Sequence, residues 1–208
     1  RVLEAYALLR DVLGAGVVED RDSFLRSISP ASDEAVVPRL VCATHLGRVH
    51  GVVLGAYLRN LNMGMILYGA VAQGVRRRGI YTMLRSRLVS ALNKEARAGR
   101  PNGLESGTTD SEVEYVISEL DQDSRLFRQY VEEWGAFVAP CDYEQPATQG
   151  LLPRRLKLVL QPIGRRAPPS RDELVSIVRE IFERIYRLPD ASQNAHFRRI
   201  VESIGPEF

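Results

Sequence analysis

Apolar residues follow two periods along this chain, and the switches between them mark out its elements. Val2, Leu3, Tyr6, Leu9, Val12 and Leu13 recur at helical spacing, and a second helix, "RDSFLRSI", follows Gly14 and Gly16. The period then shortens. "RLVCATHLGRVHGVVLGAYL" predicts two strands around a tight turn at Leu46-Gly47, where glycine accepts positive φ. "MGMILYGAV" predicts a further strand, apolar enough to be buried on both faces. From Gly79 to Ala98 the helical period returns. Ile80, Met83, Leu84, Leu88, Ala91 and Leu92 form one stripe, with Arg85, Lys94 and Arg97 largely opposite. "ARAGRPNG" ends that helix, "GLESGTT" predicts a short strand, and "DSRLFRQYVEEWG" predicts a helix stopped by Gly135. "AFVAPCDY" and "RRLKLVLQPI" predict two more strands, linked by "EQPATQGLLP".

"GRRAPPS" marks a boundary between residues 1–163 and a C-terminal extension over 164–208. Beyond it, Ser170 and Glu173 have capping-box spacing. Leu174, Ile177, Val178, Ile181, Phe182 and Ile185 make a continuous helical stripe, Pro189 breaks it, and "SQNAHFRRIVESIG" predicts a last short helix. Such a stripe is too apolar to stay in water. Two destinations are open: the chain's own sheet or cleft, or the same element of a second subunit in a two-fold homodimer. The element order predicts an α+β fold with a mixed sheet. The strands before and after the long helix are parallel if they share that sheet, and the hairpins make the rest antiparallel.

Composition narrows the function classes. The chain has 208 residues, 45% hydrophobic and 26% charged, as in an ordinary globular protein. A net charge of +2 means that any pull on anions must come from local clustering. Cys42 and Cys141 form no CxxC, and His45, His50 and His196 no HExxH, so no metal site is expected. The cysteine usage fits a reducing, cytoplasmic setting, with one disulfide as the alternative. No apolar run approaches the ~20 residues of a membrane span, so no membrane partner is expected.

One stretch carries chemistry. In "VAQGVRRRGIYTML" three arginines run into a glycine where a strand gives way to a helix. The first amides of a helix lack intrahelical partners and carry the positive end of its dipole, which favours an anion. Gly79 permits close backbone approach and Gly74 loosens the preceding turn, while Arg76, Arg77 and Arg78 add forked donors suited to phosphate. The segment is neither GxxxxGK[ST] nor GxGxxG. Its other reading is a solvated arginine turn that caps a helix.

The segment resembles motif A of the GNAT superfamily of acyl-CoA N-acyltransferases, commonly worded V-x-P-x-[YF]-R-G-[KR]-G-[IVL]-[GA]-x-x-L. Arg77 stands where glycine is usual, Tyr81 where glycine or alanine is usual, and Gln73 where proline is common. "LVCATHLGRVHGVVLGAYL" is similar to the superfamily's second and third strands, with Gly47 and Gly51 on its two glycines. "RLFRQYVEEWGAF" is similar to its later motif. The resemblance spans roughly Arg1 to Ile163. It implies a mostly antiparallel sheet with a splayed central parallel pair, flanked by helices, that takes acetyl-CoA or another acyl-CoA. The backbone at Val71, Ala72 and Gln73 would meet the pantetheine arm. The amides of Arg76, Arg77, Arg78, Gly79, Ile80, Tyr81 and Thr82 would hold the pyrophosphate.

The implied reaction is attack of an amine on a thioester carbonyl. An amine of pKa near ~10 is mostly protonated at neutral pH, so a base helps it. Glu105 is the candidate base, with Asp110, Glu112 and Glu114 as substitutes and a solvent-facing strand glutamate as the alternative. Tyr130 is the candidate acid for the departing thiolate; its alternative is packing beside Phe127 and Trp134. An N–H near Val71 would stabilise the oxyanion. Two rival readings stand beside this one: an acyl-CoA-binding module without catalysis, and a nucleic-acid binder that uses the basic helix over 76–100. The sparse aromatics there and the balanced charge weigh against nucleic acid. The acceptor is an amine whose identity the sequence leaves open.

Overall fold

The computed structural model describes residues 1–29, 35–98, 112–147, 151–165 and 167–205. The predicted hairpin forms around Leu46 and Gly47, which both take positive φ, 48° and 79°. That mirror-image turn matches the twist of the strands it joins. It closes β1 (Val36–His45) onto β2 (Arg48–Leu58), and β2 pairs antiparallel with β3 (Met63–Val71). The long helix α3 (Ile80–Ala98) then crosses to β4 (Tyr115–Leu120), which lies parallel to β3. The parallel partner of β3 is therefore "YVISEL". "GLESGTT", expected in that place, lies outside the described residues.

Three short strands and one longer one finish the sheet region. They are β5 (Phe137–Val138), β6 (Glu144–Gln145), β7 (Arg154–Arg155) and the six-residue β8 (Lys157–Pro162), with β6 and β7 forming a separate two-stranded ribbon. "AFVAPCDY" thus contributes only β5, and "RRLKLVLQPI" is divided at Leu156. The main sheet has the order β1-β2-β3-β4-β8-β5, with one parallel pair at its centre.

That pair separates after three residues. Gly64, Met65 and Ile66 pair with Val116, Ile117 and Ser118, and the pairing then ends although both strands run on. At the same place β3 carries a bulge. Leu54 pairs with Tyr68 and Gly55 with Ile66, so Leu67 is the extra residue. A wedge opens between β3 and β4 at the bulge.

Each face of the sheet has its own cover. On one face Leu84, Leu88 and Leu92 of α3 seat over Gly51, Gly55 and Gly64. A Cβ at these glycines would lie 2.9, 2.7 and 2.5 Å from the three leucine side chains. Helix α4 (Arg125–Arg128), which widens into a π-helical turn over Gln129–Glu133 before Gly135 (φ 62°), lies beside α3. The opposite face is covered by α1 (Val2–Leu13) and α2 (Arg21–Ser27) at one end. At the other end lie α5 (Arg171–Glu180), its π-helical continuation over Ile181–Ile185, and α6 (Ala195–Ser203). The Ser170–Glu173 capping box forms as its spacing predicts. Leu174, Ile177, Val178, Ile181, Phe182 and Ile200 are fully buried in one cluster with Met65, Tyr115 and Ile117 of the sheet. The apolar stripe of the extension is thus covered by the chain's own sheet.

Candidate active site at the splayed strands

The wedge joins the two faces, and the polar groups around it divide accordingly. On the α3 face, β3 ends at Val71 and the backbone makes one 3-10 turn over Gln73–Val75. Ala72 N–H donates to the carbonyl of His50 at 2.9 Å, and Arg76 Nε donates to the carbonyl of Val71 at 3.1 Å. Arg76, Arg77, Arg78 and Gly79 are exposed. Arg77 has φ 64° and Gly79 φ 73°, so Arg77 holds a conformation that suits glycine. The first bond of α3 runs from Met83 N–H to the carbonyl of Gly79 at 3.0 Å. The amides of Ile80, Tyr81 and Thr82 therefore have no partner within the helix. A Cβ at Gly79 would meet nothing within 4 Å, so the approach to this helix start is open.

Tyr81 turns inward from that first turn. Its ring lies over Gly69, so close that a Cβ there would come within 2.6 Å of Cε2. It hydrogen-bonds Tyr130, whose hydroxyl also accepts from Ser118 Oγ at 3.2 Å. Burial pushes the Tyr81 hydroxyl well above the ordinary tyrosine range. Tyr130 is 0% exposed, its ring 4.8 Å from that of Trp134, so it packs as a core residue and also reaches β4 at the wedge. Arg85, one turn on from Tyr81, is buried with its guanidinium 4.4 Å from the Trp134 ring centroid. Its Nε and Nη2 have no hydrogen-bond partner.

The wedge holds a cavity of about 220 Å³ that Gly69, Tyr81 and Ser118 line from the α3 side and Glu19, Tyr68 and Glu119 line from the opposite face. Side chains alternate along β4, so Glu119 follows Tyr115 and Ile117 onto this face while Ser118 points to the other. Tyr143 and Tyr186 both donate to the Glu119 carboxylate, one to each oxygen. Surrounded by protein but open to the cavity, Glu119 has its pKa raised by burial, against the pull of the two tyrosines. Glu19, across the cavity, is likewise raised by burial while Ser27 Oγ donates to it at 2.9 Å. Tyr68 lines the same space, its oxygen accepting from Glu19 N–H at 3.5 Å, and burial drives its hydroxyl far up. Arg154, Arg184 and Arg187 reach the lining from β7 and from the C-terminal extension.

The structure brings together Val71 to Thr82 and Tyr130 around the wedge. Glu105 and Asp110 lie outside the described residues. Glu112 and Glu114 sit before β4, at the end of the strand where β3 and β4 remain paired, and Glu114 faces Arg165 at 3.5 Å. Among the described residues a carboxylate that stands at the wedge is Glu119, which the sequence pattern did not single out. Its signal was the alternation Tyr115, Ile117, Glu119, an acid in register with two apolar side chains. Glu19, Tyr186 and Arg187 carried no local signal, because the folded chain brings them together from distant segments. Cys42 and Cys141 are free thiols, and among the described residues no cluster of His, Cys, Asp or Glu could hold a metal ion. No described helix is long and apolar enough to cross a membrane.

Sequence comparison finds no matching family model and no matching curated protein. Comparison of structures does find similar folds. The ribosomal-protein-S18-alanine N-acetyltransferase of Escherichia coli superposes with a TM-score of 0.52 at 15% identity, over 81% of this chain and 91% of that one. A putative GNAT-family acetyltransferase of Bacteroides thetaiotaomicron gives 0.56 at 10% identity, over 89% and 94%. N-acetylglutamate synthase of Neisseria gonorrhoeae, solved with coenzyme A and N-acetyl-glutamate, gives 0.50 at 14% identity, over 78% of this chain and 33% of that longer one. With its central parallel pair splayed at a bulge and a basic strand-to-helix turn at the wedge, this chain has the fold of the GNAT superfamily.

Proposed function

We propose that the protein is an acyl-CoA-dependent N-acyltransferase. The observation that carries this reading is the wedge itself. On one face it meets a helix start with free amides; on the other it meets a buried carboxylate at the head of a cavity. A pyrophosphate fits the helix start, where the amides of Ile80, Tyr81 and Thr82 are unpaired and three arginines supply charge. The pantetheine arm would enter along the edge of β3 beyond Ile66, which has no strand partner there. The Tyr81 ring now fills the slot beside Gly69, so it must rotate out for the arm to enter. The acyl-CoA would supply the activated thioester; the chain's own groups do the rest.

Glu119 stands at the wedge and would serve as the base. As a carboxylate it would accept a proton from the acceptor amine, directly or through one water. The amine nitrogen then bonds to the carbonyl carbon, and a backbone N–H on the free edge of β3 would steady the oxyanion. As the carbon–sulfur bond breaks, Tyr130 would protonate the thiolate. Tyr143 and Tyr186 hold the Glu119 carboxylate in position and limit how far burial raises its pKa. Rates should therefore rise with pH as this carboxyl loses its proton, at a pH above the ordinary glutamate range.

Two assays test the proposal. Coenzyme A at ~100 times its dissociation constant should add about 2.7 kcal/mol of stability. A melting temperature unmoved by millimolar ligand at low salt would overturn it. Thiol release with acetyl-CoA and a panel of amines tests turnover. In that assay Glu119→Gln should lose at least tenfold in kcat while coenzyme A still binds. Binding without turnover of any amine would favour the non-catalytic module. Salt-dependent retention of nucleic acid with no coenzyme A shift would favour the basic-helix reading.

A further inference from the structure

Resting on the acyltransferase reading, we propose that the acceptor is a small amine that also carries an anionic group, of the amino-acid kind. The cavity on the Glu119 side decides the class. At about 220 Å³ it suits a small molecule rather than a folded surface. Its charged lining is of mixed sign: Glu19 and Glu119 against Arg154, Arg184 and Arg187.

The arrangement of these charges matters more than their number. Glu119 is within electrostatic reach of Arg154, and Glu19 of Arg187, yet neither arginine hydrogen-bonds its carboxylate. Arg154 lies 3.9 Å from the half-exposed Asp121, a loose contact. Arg187 makes no hydrogen bond or ion pair among the described residues and holds a left-handed backbone, φ 56°, at the end of the extension's first helix. The buried Glu19 and half-buried Glu119 face the half-buried Arg154 and the exposed Arg187 at the cavity rim without touching them, which leaves room for a ligand with both signs. An ammonium beside Glu119 and an anion toward Arg187 or Arg154 would satisfy both ends. A diamine would leave the arginines unmatched and meet them with like charge.

The separation of faces supports this orientation. Glu119 heads the cavity at the wedge, so an amine bound there stands next to the thioester path. Arg187 and Tyr186 come from the extension, which gives that element a part in substrate choice as well as in covering the sheet.

Direct binding tests the inference without turnover. Glycine, L-aspartate, 2-aminoethylphosphonate and 1,4-diaminobutane would be titrated into the full chain, with and without coenzyme A, and followed by thermal shift and calorimetry. At least one anionic amine should bind, and the diamine should not. Arg187→Gly relieves the left-handed backbone while it removes the charge, so it should fold at least as well as the parent yet bind the anionic amine at least tenfold more weakly. Arg154→Gln should weaken it in the same sense. The inference is overturned if the diamine binds as well as the amino acids, if both substitutions leave binding unchanged, or if no anionic amine binds. Failure of coenzyme A to bind, with amino-acid binding intact, would instead remove the acyltransferase reading and leave the cavity's ligand class standing.

Discussion

Arg77 occupies a left-handed position that costs a non-glycine residue about 1 kcal/mol, and its exposed side chain makes no hydrogen bond or ion pair among the described residues. Arg77→Gly should stabilise the protein by up to about 1 kcal/mol in denaturant titration and leave coenzyme A affinity within a few-fold. Gly79→Val is the opposite case. It puts a β-branched residue at φ 73° beside the open helix start, and should lose most coenzyme A binding. If Arg77→Gly abolished binding while Gly79→Val kept it, the anion site would rest on side chains and not on amides. Tyr81 stands where the superfamily's motif has a small residue, and the structure shows the consequence: its ring fills the slot over Gly69. Tyr81→Ala should speed coenzyme A association in stopped-flow measurement; a slower rate would mean that the ring helps to bind the arm. The sequence revealed that these positions were unusual. It did not reveal where the rings and guanidinium groups would go, because those directions depend on the π-helical turn of α4 and the wedge.

Among the elements, α3 shows how far local pattern reaches. Its stripe marked Leu84, Leu88 and Leu92 as buried, but Met83 is exposed and Arg85, expected opposite, is buried against Trp134; the glycines that receive the leucines were visible in β2 and β3, although not their register. Gly55→Ala would set a Cβ 2.6 Å from the carbonyl oxygen of Met65 and 2.7 Å from Leu88, so backbone must shift. We expect a loss of about 2 kcal/mol, measured by denaturant unfolding. The capping box of α5 was readable from Ser170 and Glu173 alone, whereas the ion pair between Glu173 and Arg165 was not. That guanidinium, with the capping bonds, lowers Glu173 to about 2. A carboxyl depressed on folding stabilises above its unfolded pKa and loses that contribution as pH falls toward the folded value. Glu173→Gln should therefore cost about 1 kcal/mol at neutral pH and progressively less in acid. "YVISEL" escaped because six residues between acidic neighbours give a weak alternation signal. The parallel pairing that makes it central comes from a distant segment.

For the molecule as a whole, the extension is the largest structural commitment. Its apolar stripe is buried against the chain's own sheet, so deletion of the residues after Pro168 should cause aggregation or a sharp fall in melting temperature. A soluble, monomeric truncation of equal stability would contradict that packing. The two cavity carboxyls make a second demand. Glu19 and Glu119 have pKa values raised by burial, so their contribution is complete below the unfolded value and is lost as pH rises through the folded one. Glu119→Gln should therefore melt closer to the parent at about pH 4 than at about pH 8, where the variant gains most relative to it. Fold class, strand order near the hairpin and the basic strand-to-helix turn were legible because each rests on local pattern. The cavity at the wedge was not, because it is assembled from the N-terminal segment, the C-terminal extension, the central strands and the ribbon.

The bulge at Leu67 sets the parity of everything after it on β3. Because one residue is extra, Leu67 and Tyr68 both face the cavity, Gly69 faces Tyr81, and Ala70 faces the N-terminal helices. Plain alternation over the same residues would instead turn Tyr68 toward α3 and leave Gly69 opposite Glu19, whereas removal of Leu67 itself would keep both on their present sides. Around this wedge, point substitutions alter one contact at a time, but flattening the bulge without shortening the strand would trade the linings of both sides of the wedge at once. The evolutionary record of such a site should therefore be written in substitutions that keep the bulge.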